Sequence, residues 1–196
     1  MERQNKKNCL FGLIGPGAVG KTDLSRHMRE KHGFFYIPST TTRPPRKGNL
    51  AEYQHITLEA FEKHIKNREL LEYTSFGGHY YGKLKKDVEK FLQKGDCVLT
   101  LTVDRVKKLK KTYKHIKIIC VLTEDPILKN VKKRLIKRGH DKEYIRNRIK
   151  ITEKELDYIK TLKKEKLIDH FVKTIDADYN HALREIDKII EHHRNN

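Results

Sequence analysis

The sequence contains no tryptophan, and only two methionines, three cysteines and five prolines among 196 residues. Cys9, Cys97 and Cys120 lie far apart with no C-x-x-C pair. That spacing excludes a disulfide framework or a cysteine-rich zinc module and fits a reducing cytoplasm. No apolar run approaches the roughly 18 residues needed to span a membrane. The opening Met1 to Asn8 also lacks the apolar stretch of a secretory leader, so a cytoplasmic protein without a membrane partner is expected. Internal repeats and low-complexity linkers are missing too, and the length suits one compact domain. Acidic residues are outnumbered, 26 against 44 basic ones, for a net charge of +18. Charge of this size suggests nucleic acid, but the lysines are scattered (Lys63, Lys85, Lys110 and Lys163, for example). They accompany neither a Gly-aromatic RNA-binding motif nor zinc-finger spacing. Solvated lysine faces that steer small anions are the expected reading, and nucleic acid is not an expected partner.

What the chain does contain is Gly15-Pro16-Gly17-Ala18-Val19-Gly20-Lys21-Thr22, a match to G-x-x-x-x-G-K-[ST]. An apolar run, Cys9 to Ile14, precedes it as a buried strand, and Asp23 to Glu30 follows as a helix. Glycines permit the tight backbone that aims N–H groups at a phosphate, and the helix N-terminus adds partial positive charge. Lys21 is expected to reach the β- and γ-phosphates of ATP, and the Thr22 hydroxyl to hold Mg²⁺. An ordinary Gly-rich turn is the plainer alternative. It does not explain the match at every fixed position of an eight-residue pattern in strand–loop–helix context.

Downstream, Phe34 to Ile37 reads as a second strand, and Ser39 to Gly48 as an irregular, hydroxyl-rich, basic run. Its hydroxyls and the fixed donor forks of Arg43 and Arg46 suit a second phosphate. A short strand is expected over Glu52 to Ile56, and a helix capped by Thr57 over Leu58 to Lys66. A hairpin then turns at Gly77-Gly78. The β-branched runs Cys97 to Val103 and Ile116 to Leu122, joined through a basic helix, have the pattern of parallel strands. Gly139 is expected to stop one helix, and Asp178 to cap the last.

These pieces resemble guanylate kinases from about Leu10 to Ile190. The resemblance rests on the phosphate loop, Ser39-Thr40-Thr41-Thr42-Arg43-Pro44-Pro45-Arg46, Leu71-Glu72, His79-Tyr80-Tyr81-Gly82, and Arg134-Leu135 with Arg138-Gly139 and Asn147-Arg148. It implies an α/β fold: a three-layer P-loop kinase core with a parallel five-stranded sheet. The implied core covers 8–37, 87–135 and 151–196, with an acceptor-binding insertion at 38–86 and a lid at 136–150. It further implies that Ser39, Arg43, Arg46, Tyr53 and Tyr81 hold the acceptor phosphate, and that Glu72 reads the guanine edge. Arg134, Arg138 and Arg148 would close over the phosphates, and Asp176 stands where an asparagine usually meets adenine. Tyr80 is expected to be a packed hairpin aromatic.

Three departures bear on the acceptor. The family's D-x-D pair is Thr100-Leu101-Thr102, its Arg-x-Gly-Glu is Arg46-Lys47-Gly48-Asn49, and its small hydroxyl after Tyr-Tyr-Gly is Lys83. Asp104, two residues past Thr102, would share its strand face if the strand ran that far. Lys83, Thr100 and Thr102 are therefore expected to shape the acceptor base site, with Lys83 within reach of Glu72. The implied activity is ATP-dependent phosphorylation of GMP or dGMP with Mg²⁺. A related phosphotransferase acting on a modified nucleotide or ribose phosphate stays open, as does a non-catalytic interaction module. Small nucleotides are the expected partners, and a monomer or homodimer the expected assembly.

Overall fold

The computed structural model describes residues 8–45 and 53–195. Strand β1 (Leu10–Ile14) is buried at every position and lies at the centre of a sheet ordered β2-β7-β1-β8-β9. Its companions are β2 (Phe35–Tyr36), β7 (Cys97–Thr100), β8 (Lys117–Thr123) and β9 (His170–Thr174), and every pairing is parallel. Parallel strands buried on both faces require apolar side chains in both directions, which explains the near-continuous Val, Ile and Leu runs.

Alternation along β1 splits the core into two layers. Leu10 and Ile14 pack with Leu99, Ile118 and Cys120. Over them lie Val88 of α3 (Lys85–Leu92), Val106 and Leu109 of α4 (Val106–Thr112), and Ile159 and Leu162 of α6 (Lys142–Lys164). Phe11 and Leu13 face the other way, with Val98, Ile119 and Val121. That side is covered by α1 (Lys21–His32), α5 (Ile127–Lys137) and α7 (Tyr179–Asn195), through residues such as Leu24, Val131 and Ile186. The expected three-layer core with a five-stranded parallel sheet is what the chain forms.

A second, four-stranded sheet rises between β2 and α3, ordered β4-β3-β6-β5. It comprises β3 (Ser39–Thr41), β4 (Tyr53–His55), β5 (Leu70–Phe76) and β6 (His79–Leu84), with α2 (Leu58–Lys66) packed on it through Phe61. The Thr57 hydroxyl caps α2 by accepting the Ala60 N–H. Gly77 and Gly78 take φ of 58° and 77°, which the two-residue hairpin turn requires. The β5–β6 register slips between Leu70 and Glu72, a bulge in β5. As a result Leu70 packs inside the insertion and Leu71 inside the main core, while Glu72 faces the cleft between them.

Two expectations fail here. Ser39–Thr41 is a strand rather than an irregular run, because it is paired on both sides, with β4 and β6. The strand expected over Cys97 to Val103 stops at Thr100 and gives way to a 3-10 turn over Val103–Arg105. Asp104 therefore does not share a strand face with Thr102. The terminators behave as read: Gly139 has φ 75° beyond α5, and Asp178 Oδ1 accepts the His181 N–H at 3.1 Å. Helix α6 runs unbroken through residue 150, so the expected lid boundary falls inside a helix.

Candidate active site

The phosphate loop is shaped by its contacts. Gly15 has φ 133°, and a Cβ there would stand 2.1 Å from the Val121 carbonyl oxygen, so only glycine fits. Gly20 (φ 98°) caps α1 without a side-chain hydrogen bond, leaving the first-turn N–H groups for an anion. Lys21 begins the helix, and its Nζ donates to the Gly15 and Pro16 carbonyls at 2.7 and 2.6 Å. Burial lowers its pKa to about 8; Glu155 works against the shift, and Arg148 and Arg138 work with it. Thr22 is exposed beside it.

Arg148, on α6, lies against the loop: a Cβ on Gly17 would come within 2.5 Å of its Nε. Its Nη2 donates to both Glu155 oxygens at 3.3 Å, a contact two helical turns along the same face. Burial raises the Glu155 pKa, partly offset by Arg148 and Lys21. Sequence reasoning missed Glu155. The signal was its spacing of seven residues from Arg148, submerged among the many charges of that helix.

Across the cleft, the Arg43 guanidinium packs over the rings of Tyr53 and Tyr81, 5.3 and 5.9 Å from their centroids. Among the described residues, its Nε and Nη2 are buried without a hydrogen-bond partner. Unmet donors in a buried cation are costly, so this is a site prepared for an anion. The neighbouring hydroxyls hold it there rather than reaching for phosphate. Thr41 Oγ1 donates to the Tyr80 carbonyl and accepts the Arg43 N–H, and Thr42 Oγ1 accepts the Tyr80 N–H. Tyr80 stacks on Phe61 at 5.4 Å, a packing role as expected.

One cleft of about 590 Å³ joins both halves. Gly15, Lys21 and Arg148 line its donor side, and Ser39, Arg43, Tyr53, Glu72 and Tyr81 its acceptor side. Thr100, Thr102, Asp104 and Glu155 lie between. Thr100 Oγ1 is 3.1 Å from the Tyr36 hydroxyl. Glu72 is buried, and burial raises its pKa; Lys83 and Arg105 pull it back and Asp104 adds to the rise.

Of the phosphate loop only Gly15 and Lys21 line this cleft, and Lys83, Arg134, Asp176 and Arg138 do not. Lys83 is fully buried; its Nζ donates to the Ile37 carbonyl at 2.7 Å and sits over the Tyr36 ring, and its charge acts on Glu72, its register partner in β5. Arg134 lies behind the loop, donating to the Ala18 carbonyl at 3.2 Å, Thr174 Oγ1 at 2.8 Å and Asp176 at 2.9 Å. Asp176 is thereby occupied: burial pushes its pKa up, but Arg134 and Lys133 outweigh this and hold it low. Arg138 is exposed at the end of α5. Arg46 lies outside the described residues.

Residues 8–193 match the family model described as guanylate kinase. The guanylate kinase of Clostridium tetani is 33% identical over 158 residues, covering 79% of this chain and 75% of that one. That of Fusobacterium nucleatum is 36% identical over 154 residues (76% and 82%), and that of Onion yellows phytoplasma 38% over 145 residues (71% and 68%). The crystal structure of guanylate kinase from Anaplasma phagocytophilum superposes with a TM-score of 0.66 at 19% identity, over 95% of this chain and 86% of that one. With a family match spanning nearly its whole length and relatives above 30% identity, the chain belongs to the guanylate kinase family.

Proposed function

We propose that this protein transfers the γ-phosphoryl group of ATP to GMP or dGMP, giving ADP and GDP or dGDP, in the cytoplasm. The observation that carries this reading is the shared cleft, with the phosphate loop on one wall and, on the other, the Arg43 guanidinium, whose Nε and Nη2 find no hydrogen-bond partner among the described residues. Two anion sites facing each other suit a reaction in which an acceptor phosphate oxygen attacks the γ-phosphorus in line, while the bond to ADP breaks.

In this reading the loop N–H groups and Lys21 hold the ATP phosphates, and Arg148 balances charge gathering on the transferred group. Ser39, Arg43, Tyr53 and Tyr81 hold the acceptor phosphate, with Arg46 in the same role. The ionised Glu72 accepts the N1–H and amino protons of guanine together, a pairing adenine does not offer. The exposed Thr22 hydroxyl and the carboxylates of Asp104 and Glu155 fit a hard, oxygen-seeking cation such as Mg²⁺. When bound, that ion neutralises phosphate charge. Arg138 joins the site when the 136–150 region closes, and closure excludes water that would otherwise hydrolyse ATP.

Neither a different phosphorylated acceptor nor a non-catalytic module is favoured. The phosphate loop is complete, and the named relatives are guanylate kinases. ADP release with Mg-ATP over a panel of nucleoside and sugar monophosphates tests the proposal. GMP and dGMP are expected to lead. A chain that ignores both and phosphorylates another monophosphate overturns it.

A further inference from the structure

Away from the cleft, on the face where α1 meets α7, His27, His32 and Asp187 bring three ligand atoms within 4.8 Å of one another. Among the described residues no other group of three histidine, cysteine or acidic side chains meets this condition. Both imidazoles aim Nε2 at a single carboxylate oxygen: Asp187 Oδ1 is 2.7 Å from His27 and 2.6 Å from His32. All three side chains are largely shielded, at 18%, 10% and 14% exposure.

Burial pushes the Asp187 carboxyl up, but hydrogen bonds from Lys31, His32 and His27 outweigh this and hold its pKa well below the usual range. An ionised carboxylate only accepts, so both Nε2 atoms carry protons directed at Oδ1. Two protons thus fill a space bounded by two nitrogens and an oxygen.

We propose that His27, His32 and Asp187 form a binding site for a divalent transition-metal ion of the zinc type, linking the phosphate-loop helix α1 to the C-terminal helix α7. Two imidazoles and one carboxylate are a donor set suited to Zn²⁺ and disfavoured by Ca²⁺ and Mg²⁺, which prefer oxygen. Tetrahedral Zn–N and Zn–O bonds of about 2.0–2.2 Å place ligands about 3.4 Å apart, so each nitrogen–oxygen separation opens by less than about 1 Å. As the metal enters, each imidazole presents an unprotonated Nε2 and carries its remaining ring proton on Nδ1, and one water completes the shell on the partly exposed side.

Lys31 does not compete for the ligating oxygen. Its Nζ donates to the other one, Oδ2, at 2.7 Å, which leaves Oδ1 as a single ligand and fixes the carboxylate. The site adjoins the C-terminus of α1, whose dipole favours a cation. Arg194 already donates to the His32 carbonyl there at 2.8 Å, and with Lys31 it supplies the opposing positive charge. The inference is independent of the nucleotide reading, because none of these residues lines the cleft.

The test uses the full chain freed of metal with a chelator, then titrated with Zn²⁺ by calorimetry and with Co²⁺ by visible absorption. One equivalent of Zn²⁺ is expected to bind, and Co²⁺ to give the intense bands of a tetrahedral ion. At a hundredfold excess over Kd, Zn²⁺ raises Tm by roughly 5–10 °C. His27→Gln and Asp187→Asn, which retain polar contacts between the helices, abolish both signals, whereas Lys31→Ala weakens binding by about tenfold. Should either ligand variant fail to fold, histidine side-chain spectra of the wild type decide the matter. Zn²⁺ must shift the His27 and His32 resonances and leave His170 and His193 unmoved. No stoichiometric binding by the wild type, binding that survives in a folded His27→Gln, or shifts at His170 and His193 instead would each overturn the proposal.

Discussion

The donor and acceptor halves of the cleft are built on very different foundations. Behind the phosphate loop, sixteen buried apolar residues fill each face of the five-stranded sheet. Behind Arg43 and Glu72, the apolar cluster that the described residues form has Phe61, Leu70 and Leu84 at its centre, with Ile56, Ile65, Tyr73 and Tyr80 packed partly around them. Local stability follows buried apolar surface, so the insertion opens at much lower free energy than the core. A fixed donor platform facing a loosely held acceptor arm is a useful division for a kinase. The loop must stay rigid for ATP, while the acceptor arm must admit one nucleotide and release another.

Removing the centre of the rigid half has the largest expected effect. Lys21→Met is expected to lower kcat by about 10³-fold, because it deletes the cation at the transferring phosphate. Its Tm should hold or rise, since a half-buried ammonium whose pKa is driven down to about 8 by burial is a cost to the folded state at pH 7. Two lost hydrogen bonds to the loop carbonyls offset part of that gain. Steady-state kinetics beside a thermal melt reads both; near-normal turnover would remove Lys21 from the chemistry.

On the softer side, Arg43→Ala should raise KM for GMP by about 10²-fold with little change in KM for ATP, the loss of a two-pronged charged contact. Arg43→Lys should not restore it, because an ammonium cannot reproduce the fork held between Tyr53 and Tyr81. Phe61→Ala tests the comparison itself. At about 3 kcal/mol for an emptied aromatic site, amide exchange across 53–84 should quicken by about 10²-fold while β1 and β8 stay protected. Equal acceleration in both halves would mean that they open as one unit.

The same contrast explains what was legible in the sequence. The core strands were readable because continuous apolar runs between Gly-rich turns have few alternatives, and the phosphate loop because its backbone demands glycine at fixed positions. Ser39–Thr41 was not, because its pairing depends on β4 and β6, partners that no local pattern reveals. The bulge that turns Glu72 to the cleft is likewise a register event between strands. Lys83 was placed on the right hairpin but expected near substrate. Nothing in its immediate sequence says that its ammonium would be buried on the Ile37 carbonyl. Arg134 and Asp176, expected to meet ATP separately, instead meet each other, a contact between residues 42 apart in the chain.

Glu72→Gln has a smaller expected effect, confined to the choice of base. The amide places an NH₂ donor where guanine also donates, so the GMP-to-AMP ratio of kcat/KM should fall by about 10–100-fold with KM for ATP unchanged. An unaltered ratio would mean that guanine is read elsewhere.

The smallest effect is a pH dependence that also separates the two halves. Lys21 has its pKa lowered to about 8, so in the free enzyme it carries its charge below that pH and loses it above. The kcat/KM for ATP should therefore fall above about pH 8, by up to tenfold per pH unit, since this ratio reports groups of the free enzyme. With ATP bound, phosphate charge favours the ammonium again, so kcat should hold to higher pH. Glu72 acts at the opposite end. Burial raises its pKa, so it takes up a proton sooner on acidification than an ordinary carboxyl, and kcat/KM for GMP should fall there first. Lys21→Arg, slower but never neutral, should lose the alkaline limb and keep the acid one, whereas Glu72→Gln should do the reverse. If Lys21→Arg retains the alkaline fall near pH 8, some group other than Lys21 sets it, and the donor wall is not where that titration occurs.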